Sequence, residues 1–229
     1  MQLILFDIDG TLLTAHGAGR LALAEAMRAT YGTAGDMDGY DLRGGTDPRI
    51  IRDLLTGAGI PAARIQERLQ ECFDTYVGIL EGLLADGHPV ELMAGVADVV
   101  RGLSRRPDAL LGLLTGNIEA GAKAKLRPTG LLPFFRVGAY GSDHADRRRL
   151  PAIACERARA LVGRAIAYDR VVVIGDTPRD VDCAQACGAR AVAVATGHHS
   201  PAELECCRPD LLLPDFQDVE GILAALARL

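Results

Sequence analysis

Short apolar runs alternate with helix-like patterns along most of this chain. None of these runs alternates with polar residues, which predicts strands that are buried on both faces. We expect strands near residues 2–6, 110–114, 135–139, 171–174 and 191–194, with 211–213 as a candidate short addition. Strand–helix alternation predicts an α/β fold, with a doubly wound parallel sheet in a Rossmann-like core and helices on both faces.

One long segment, from about residue 18 to residue 84, has helical spacing and no convincing strand. Thr46 and Asp47 before Pro48 mark a capped helix start. Pro61 opens a longer helical pattern, which Asp86-Gly87-His88-Pro89 ends. We therefore expect an inserted α-helical cap domain at 15–87 within an α/β core made of 1–14 and 88–229.

Polar side chains stand where three of the predicted strands end. Asp7 and Asp9 follow the first strand, Thr115-Gly116-Asn117 follow the second, and Asp176 and Asp180 follow the fourth. The carboxyl ends of parallel strands are where such sheets bind ligands. Adjacent carboxylates repel each other, which indicates a bound cation or a shared proton. Together with the cations of Arg147-Arg148-Arg149, these groups suit metal-assisted phosphoryl transfer.

In this order, the motifs resemble those of the haloacid dehalogenase-like hydrolases, most of which are phosphatases. The first family motif, Asp-x-Asp-x-Thr, stands here as Asp7, Asp9 and Thr11. The second motif stands as Thr115, and the fourth as Gly175-Asp176 with Asp180. The resemblance spans nearly the whole chain. It implies a helical cap that moves over the active site, with hinges near 12–17 and 85–90.

The resemblance implies a role for each acidic residue. Asp7 is the nucleophile that forms an aspartyl-phosphate, and Asp9 is the general acid and base; the residues alone would allow these two roles to be exchanged. Asp7, Asp176 and the backbone carbonyl of Asp9 would hold Mg²⁺, which prefers oxygen ligands. Asp180 would hold a metal-bound water, or alternatively serve only the electrostatics of the helix terminus.

The phosphate itself would be bound by Thr115, Gly116 and Asn117, although Asn117 could instead only cap the next helix. The family's usual third-motif lysine is absent from its place. The only two lysines, Lys123 and Lys125, follow Asn117 on a helix that should lead away from the site. We therefore expect an arginine of the 147–149 cluster to supply the cation, and favour Arg147.

Composition limits the other classes of function. With 229 residues and 49% apolar residues, the chain suits one domain with an insertion or two small domains. The net charge of −5 and pI near 5.5 give no footprint for nucleic acid. No apolar run approaches a membrane span and no secretory signal is evident. We expect a cytoplasmic monomer or homodimer whose six cysteines stay reduced.

These observations predict a magnesium-dependent phosphatase of small phosphorylated metabolites, resembling the phosphoglycolate phosphatases of the family. Arg43 is a candidate contact for a substrate carboxylate or second phosphate, with Arg49 and Arg52 as alternatives. Two other hypotheses remain open: a phosphomutase of the same superfamily, and a phospho-accepting regulatory module. Regulatory modules of that kind are shorter and lack a helical insertion of this size.

Overall fold

The computed structural model describes all 229 residues. It contains eight strands: β1 (Gln2–Phe6), β2 (Leu13–Thr14), β3 (Glu91–Leu92), β4 (Ala109–Thr115), β5 (Val137–Tyr140), β6 (Val171–Gly175), β7 (Arg190–Val194) and β8 (Leu211–Leu213). Six of them form one parallel sheet in the order β5–β4–β1–β6–β7–β8. The first strand therefore lies in the middle of the sheet, between β4 and β6.

Ten α-helices accompany the strands: α1 (Ala18–Tyr31), α2 (Asp47–Gly57), α3 (Ala62–Glu67), α4 (Leu69–Ala85), α5 (Val96–Ser104), α6 (Glu119–Leu126), α7 (Leu150–Val162), α8 (Pro178–Gln185), α9 (Pro201–Cys206) and α10 (Val219–Arg228). None of these helices combines the length and the hydrophobicity needed to cross a bilayer.

Two hydrophobic cores cover the two faces of the sheet. On β1, Ile4 and Phe6 belong to a core of 43 buried residues, whereas Leu3 and Leu5 belong to a core of 18. Successive side chains of a strand point to opposite faces, so each position from Leu3 to Phe6 faces a hydrophobic core and all four are apolar. This confirms the predicted α/β fold with a doubly wound parallel sheet.

Four helices, α1 to α4, lie between β2 and β3. These two short strands pair antiparallel, with Leu13 opposite Leu92. The chain therefore enters and leaves the four-helix segment at the same place. Within the segment α1 packs against α4. Buried Leu23, Met27 and Tyr76 join these helices to the larger core.

The single long helix expected after Pro61 is wrong. The segment forms α3 and α4, which are separated at Arg68, where φ is −107° and ψ is 10°. The Arg68 guanidinium donates to the carbonyl of Thr30 and pairs with Glu71. Ile65 and Leu69 stand four residues apart across the break, so the apolar spacing that predicts a helix continues through it.

Candidate active site

The loops that follow β1, β4 and β6 line one cavity of about 500 Å³. Because β1 lies between the other two strands, Asp7, Thr115 and Asp176 reach the same edge of the sheet. The backbone amide of Asp7 donates to the carbonyl of Ile174 (2.9 Å), which ties the first loop to β6. The helical segment between β2 and β3 forms the opposite wall, to which Arg20 and Arg43 contribute.

Three buried carboxylates form an acidic cluster, of which Asp7 and Asp176 line this cavity. Carboxylate oxygens of Asp7, Asp176 and Asp180 all lie within 4.8 Å of one another, and none of these residues is more than 5% exposed. Burial raises the pKa of Asp7 to about 6, against the opposing charge of Arg147. Burial, and then the charges of Asp180 and Asp7, raise the pKa of Asp176 to about 8.

The acidic cluster fits a divalent cation. Its donors are all oxygens, the ligands that Mg²⁺ and Ca²⁺ prefer, and Asp176 forms no ion pair in the protein. Its only side-chain partner is the Thr11 hydroxyl, which donates to Oδ1 at 2.9 Å. Gly10, at φ 83°, lies so close to this carboxylate that a Cβ would collide with it. An acidic cluster with surplus negative charge is therefore packed for a cation.

Asp180 has protein partners for both of its oxygens. Oδ2 accepts from the Thr177 amide (3.0 Å) and hydroxyl (2.6 Å), so the pair forms a capping box at the start of α8. Oδ1 accepts from the guanidinium of Arg147 at 2.5 Å. The structure thus gives Asp180 a local role at the helix terminus, and its predicted contact with a metal-bound water stays a prediction.

The three arginines of the 147–149 cluster differ sharply in position. Arg147 is 7% exposed and its Nη2 lies 3.2 Å from Oδ2 of Asp7. Arg148 points to the surface, where it pairs with Asp182 (2.7 Å) and its side chain is 60% exposed. Arg149 is exposed and does not line the cavity. Only Arg147 of the three therefore faces the acidic cluster.

The expectation that both lysines point away from the site is wrong for Lys125. Its side chain is 4% exposed, and Nζ donates to Asp9 Oδ2 (2.7 Å) and to Asn117 Oδ1 (2.7 Å). Lys123 behaves as expected, since it is half-exposed and pairs with Glu119 on the same helix. Helical side chains lean toward the N-terminus of their helix, which returns the Lys125 ammonium toward the strand end.

A signal for Lys125 was present in the sequence. Ala122, Lys125 and Leu126 stand at i, i+3 and i+4 and share the buried face of α6. A lysine on such a face has to bury its stem and find a partner for its charge.

Asn117 does not cap the helix that follows it, so the alternative of capping is wrong. Its Nδ2 donates to Asp9 Oδ2 (2.7 Å) and Thr115 Oγ1 (2.8 Å). The backbone amide of Ile118, the residue just before α6, donates to Oδ2 of Asp47 (2.8 Å), a residue of the helical segment. The Asp47 amide in turn donates to the carbonyl of Gly116 (2.8 Å). The segment is thereby bonded directly to the loop that follows β4.

Arg43 lines the cavity, and its contact with a substrate stays a prediction. Its side chain is 52% exposed and lies 3.2 Å from Asp41. Arg49 and Arg52 do not line this cavity.

Known proteins resemble this chain along its whole length. A family model for haloacid dehalogenase-like hydrolases matches residues 1–188. The phosphoglycolate phosphatase of Synechococcus elongatus is 31% identical over 232 residues, covering 100% of both chains. A phosphoglycolate phosphatase of Pectobacterium atrosepticum is 27% identical, covering 93% of this chain and 88% of that protein.

Solved structures share the fold. A hydrolase from Pseudomonas syringae superposes with a TM-score of 0.72 at 21% identity, covering 99% of both chains. CbbY from Rhodobacter sphaeroides, solved in complex with phosphate, superposes with a TM-score of 0.65 at 22% identity, covering 96% of both. From the family model, the relatives and the site, the chain belongs to the haloacid dehalogenase-like hydrolases and is a phosphatase that hydrolyses phosphoric monoesters.

Proposed function

We propose that this phosphatase hydrolyses small phosphorylated metabolites in two steps through an aspartyl-phosphate on Asp7, with Mg²⁺ as its metal. One observation carries the proposal: a buried carboxylate, Asp7, shares a cavity with the buried Arg147, the buried carboxyl group of Asp176 and the Asp9–Thr115 network. Phosphoryl transfer requires mainly positioning and neutralisation of charge, and this cavity combines both.

Asp7 acts as the nucleophile. One carboxylate oxygen forms a bond to phosphorus while the ester P–O bond breaks, and water later cleaves the acyl phosphate. Although burial raises its pKa, the value of about 6 leaves Asp7 ionised in neutral solution. Arg147, 3.2 Å away, compensates part of the negative charge that the phosphoryl group brings.

Asp9 gives a proton to the leaving oxygen in the first step and removes one from water in the second. Its side chain is 44% exposed, so water can reach it for the second step, and the proton that it takes from this water restores its acid form. The Thr115 hydroxyl, the Gly116 and Asn117 amides and Arg147 bind the phosphoryl oxygens. Donors fixed before the reaction cost no reorganisation in the transition state.

The metal would be held by Asp7, Asp176 and the backbone carbonyl of Asp9, with Asp180 behind them. When bound, Mg²⁺ neutralises charge on the phosphoryl oxygens and orients the group for attack. The buried carboxyl group of Asp176, which has no cationic partner in the protein, supports this assignment, because burying an unpaired carboxylate is costly unless it is protonated or binds a cation.

The helical segment 15–87 acts as a cap that selects the substrate. Arg43 would contact a carboxylate or second phosphate at the end of the substrate remote from the reacting phosphoryl group. 2-Phosphoglycolate carries such a carboxylate, and several proteins that are similar to this chain over most of its length are named phosphoglycolate phosphatases. This makes phosphoglycolate the first substrate to test.

The test is phosphate release from a panel of esters that includes 2-phosphoglycolate, sugar phosphates, sugar bisphosphates and nucleotides, with Mg²⁺ and then with a chelator. We expect multiple turnovers that the chelator stops. Arg43→Ala should raise KM for 2-phosphoglycolate about tenfold, because losing a charge-assisted hydrogen bond costs about 1.5 kcal/mol or more. KM for ethyl phosphate, which lacks a carboxylate, should be nearly unchanged.

Arg52→Ala is the matched control, because Arg52 lies on the exposed side of α2 and outside the cavity. Equal changes in KM for both esters would contradict the role of Arg43. Activity that is independent of metal would contradict the proposed mechanism.

A further inference from the structure

The ammonium group of Lys125 donates its hydrogen bonds to residues of the active site. Nζ donates to both carboxylate oxygens of Asp9, at 2.9 and 2.7 Å, and to Oδ1 of Asn117 at 2.7 Å. An ammonium has three hydrogens to donate, so these contacts use all of them. Asp9 is therefore held by a charged partner that is itself almost fully buried.

The contact with Asn117 also fixes which way that amide points. Because Oδ1 faces the ammonium, Nδ2 faces Asp9 and Thr115, to which it donates at 2.7 and 2.8 Å. Thr115 Oγ1 accepts a second hydrogen bond from the Asn117 backbone amide at 3.3 Å. With both lone pairs engaged, the hydroxyl hydrogen of Thr115 is left to donate into the cavity.

We infer that Lys125 is a positioning residue, which holds the acid/base group Asp9 directly and aims the Thr115 hydroxyl through Asn117. The inference rests on the proposed roles of Asp7 and Asp9. It assigns to the one buried lysine a task different from that of Arg147, which contacts Asp7 and Asp180 and not Asp9.

The helical segment keeps Lys125 in place. A Cβ on Gly19 of α1 would lie 2.9 Å from Nζ and 3.1 Å from Cε of Lys125, so a side chain at this position would displace the ammonium group. Tyr76 of α4, 1% exposed, packs beside Gly19 and Gly121. The lysine that orients Asp9 is thus covered by α1 and α4, and its position depends on how these helices are docked.

The experiment compares Lys125→Met with Lys123→Met on two substrates. With ethyl phosphate, Asp9 has to protonate the departing alkoxide as the P–O bond breaks. With 4-nitrophenyl phosphate, the departing phenolate is a weak base and needs no proton. Asp7 forms the same bond to phosphorus in both reactions, so the ratio of the two kcat/KM values isolates proton donation.

We expect Lys125→Met to lower kcat/KM for ethyl phosphate about 100-fold, which is the effect of a misplaced catalytic group. The factor by which kcat/KM falls for 4-nitrophenyl phosphate should be at least tenfold smaller. Lys123→Met should leave both values within twofold. Equal losses on both substrates, or no loss, would overturn the inference. Asp9→Asn is run in parallel: if it lacks the selective loss as well, the proposed role of Asp9 fails instead.

Gly19→Ala is the second variant, in case Lys125→Met does not fold. Alanine favours a helix over glycine by about 1 kcal/mol, and only the flexible end of Lys125 has to move. We expect an unchanged or higher Tm together with the same selective loss on ethyl phosphate. Gly82→Ala in α4, where a Cβ meets nothing within 4 Å, is its control. A Gly19→Ala variant with the wild-type substrate ratio would count against the coupling to α1.

Discussion

Replacing Asp176 by asparagine should stabilise the metal-free protein at neutral pH while it removes activity. Asp176 is 4% exposed and lies close to Asp7 and Asp180. Arg147 pairs with those two carboxylates and not with Asp176. Without a metal, Asp176 is a carboxyl group whose ionisation the fold opposes. Asparagine has nearly the same shape, and its carbonyl can still accept the hydrogen bond from Thr11.

The sign and size follow from the pKa of Asp176, which burial raises from 3.8 to about 8. Between these values the folded protein binds a proton that the unfolded chain releases. The free energy of unfolding therefore falls as pH rises from about 4 to about 8, and is level above that range. At pH 7 the gap from 3.8 is about three pKa units, or about 4 kcal/mol at 1.36 kcal/mol per unit. Asparagine removes this cost, so we expect a gain on the order of 1–4 kcal/mol.

The assay is thermal unfolding in a chelator at pH 5, 7 and 8.5. Each kcal/mol should raise Tm by about 2–4 °C in a chain of this length, and the advantage of Asp176→Asn should grow with pH. Mg²⁺ should then raise Tm of the wild type more than that of the variant. Asp169→Asn, at an exposed site, is the control. A lower Tm for Asp176→Asn in chelator at pH 7 would refute the reasoning.

Two further predictions concern the reacting centre. The Asp7→Asn variant should fold, but its kcat should be at least a thousandfold lower, about 4 kcal/mol of barrier, because the amide cannot form the acyl phosphate. Steady-state release of phosphate measures this loss. A variant with more than a tenth of the wild-type rate would exclude Asp7 as the nucleophile. Arg147→Ala should lower kcat/KM roughly 100-fold or more, whereas Arg149→Ala should leave kcat/KM nearly unchanged. Comparable losses in the two variants would show that the arginines act only through the overall positive charge of the cluster.

The positions of the strands along the chain and the residues that follow them could be predicted from the sequence alone. Where a strand has a hydrophobic core on each face, successive positions are apolar, so runs such as Leu3–Phe6 stand out from amphipathic helices. Polar residues directly after such runs have to lie at the carboxyl edge of the sheet. That local rule places Asp7, Thr115 and Asp176 at the carboxyl edge of the sheet, and the position of β1 between β4 and β6 then makes them neighbours.

Contacts between elements that are distant in sequence were decided only by the tertiary structure. The break at Arg68 depends on the carbonyl of Thr30, and the loop before α6 is bonded to Asp47 of the helical segment. The position of Lys125 depends on the packing of α1 and α4 over α6. Local periodicity reports which face of a helix is buried, but not what that face meets or how far a long side chain reaches back along the helix. The contacts of a buried face and the position of a long charged side chain depend on how the elements pack together, because a buried charge needs a partner of opposite charge and that partner comes from another element.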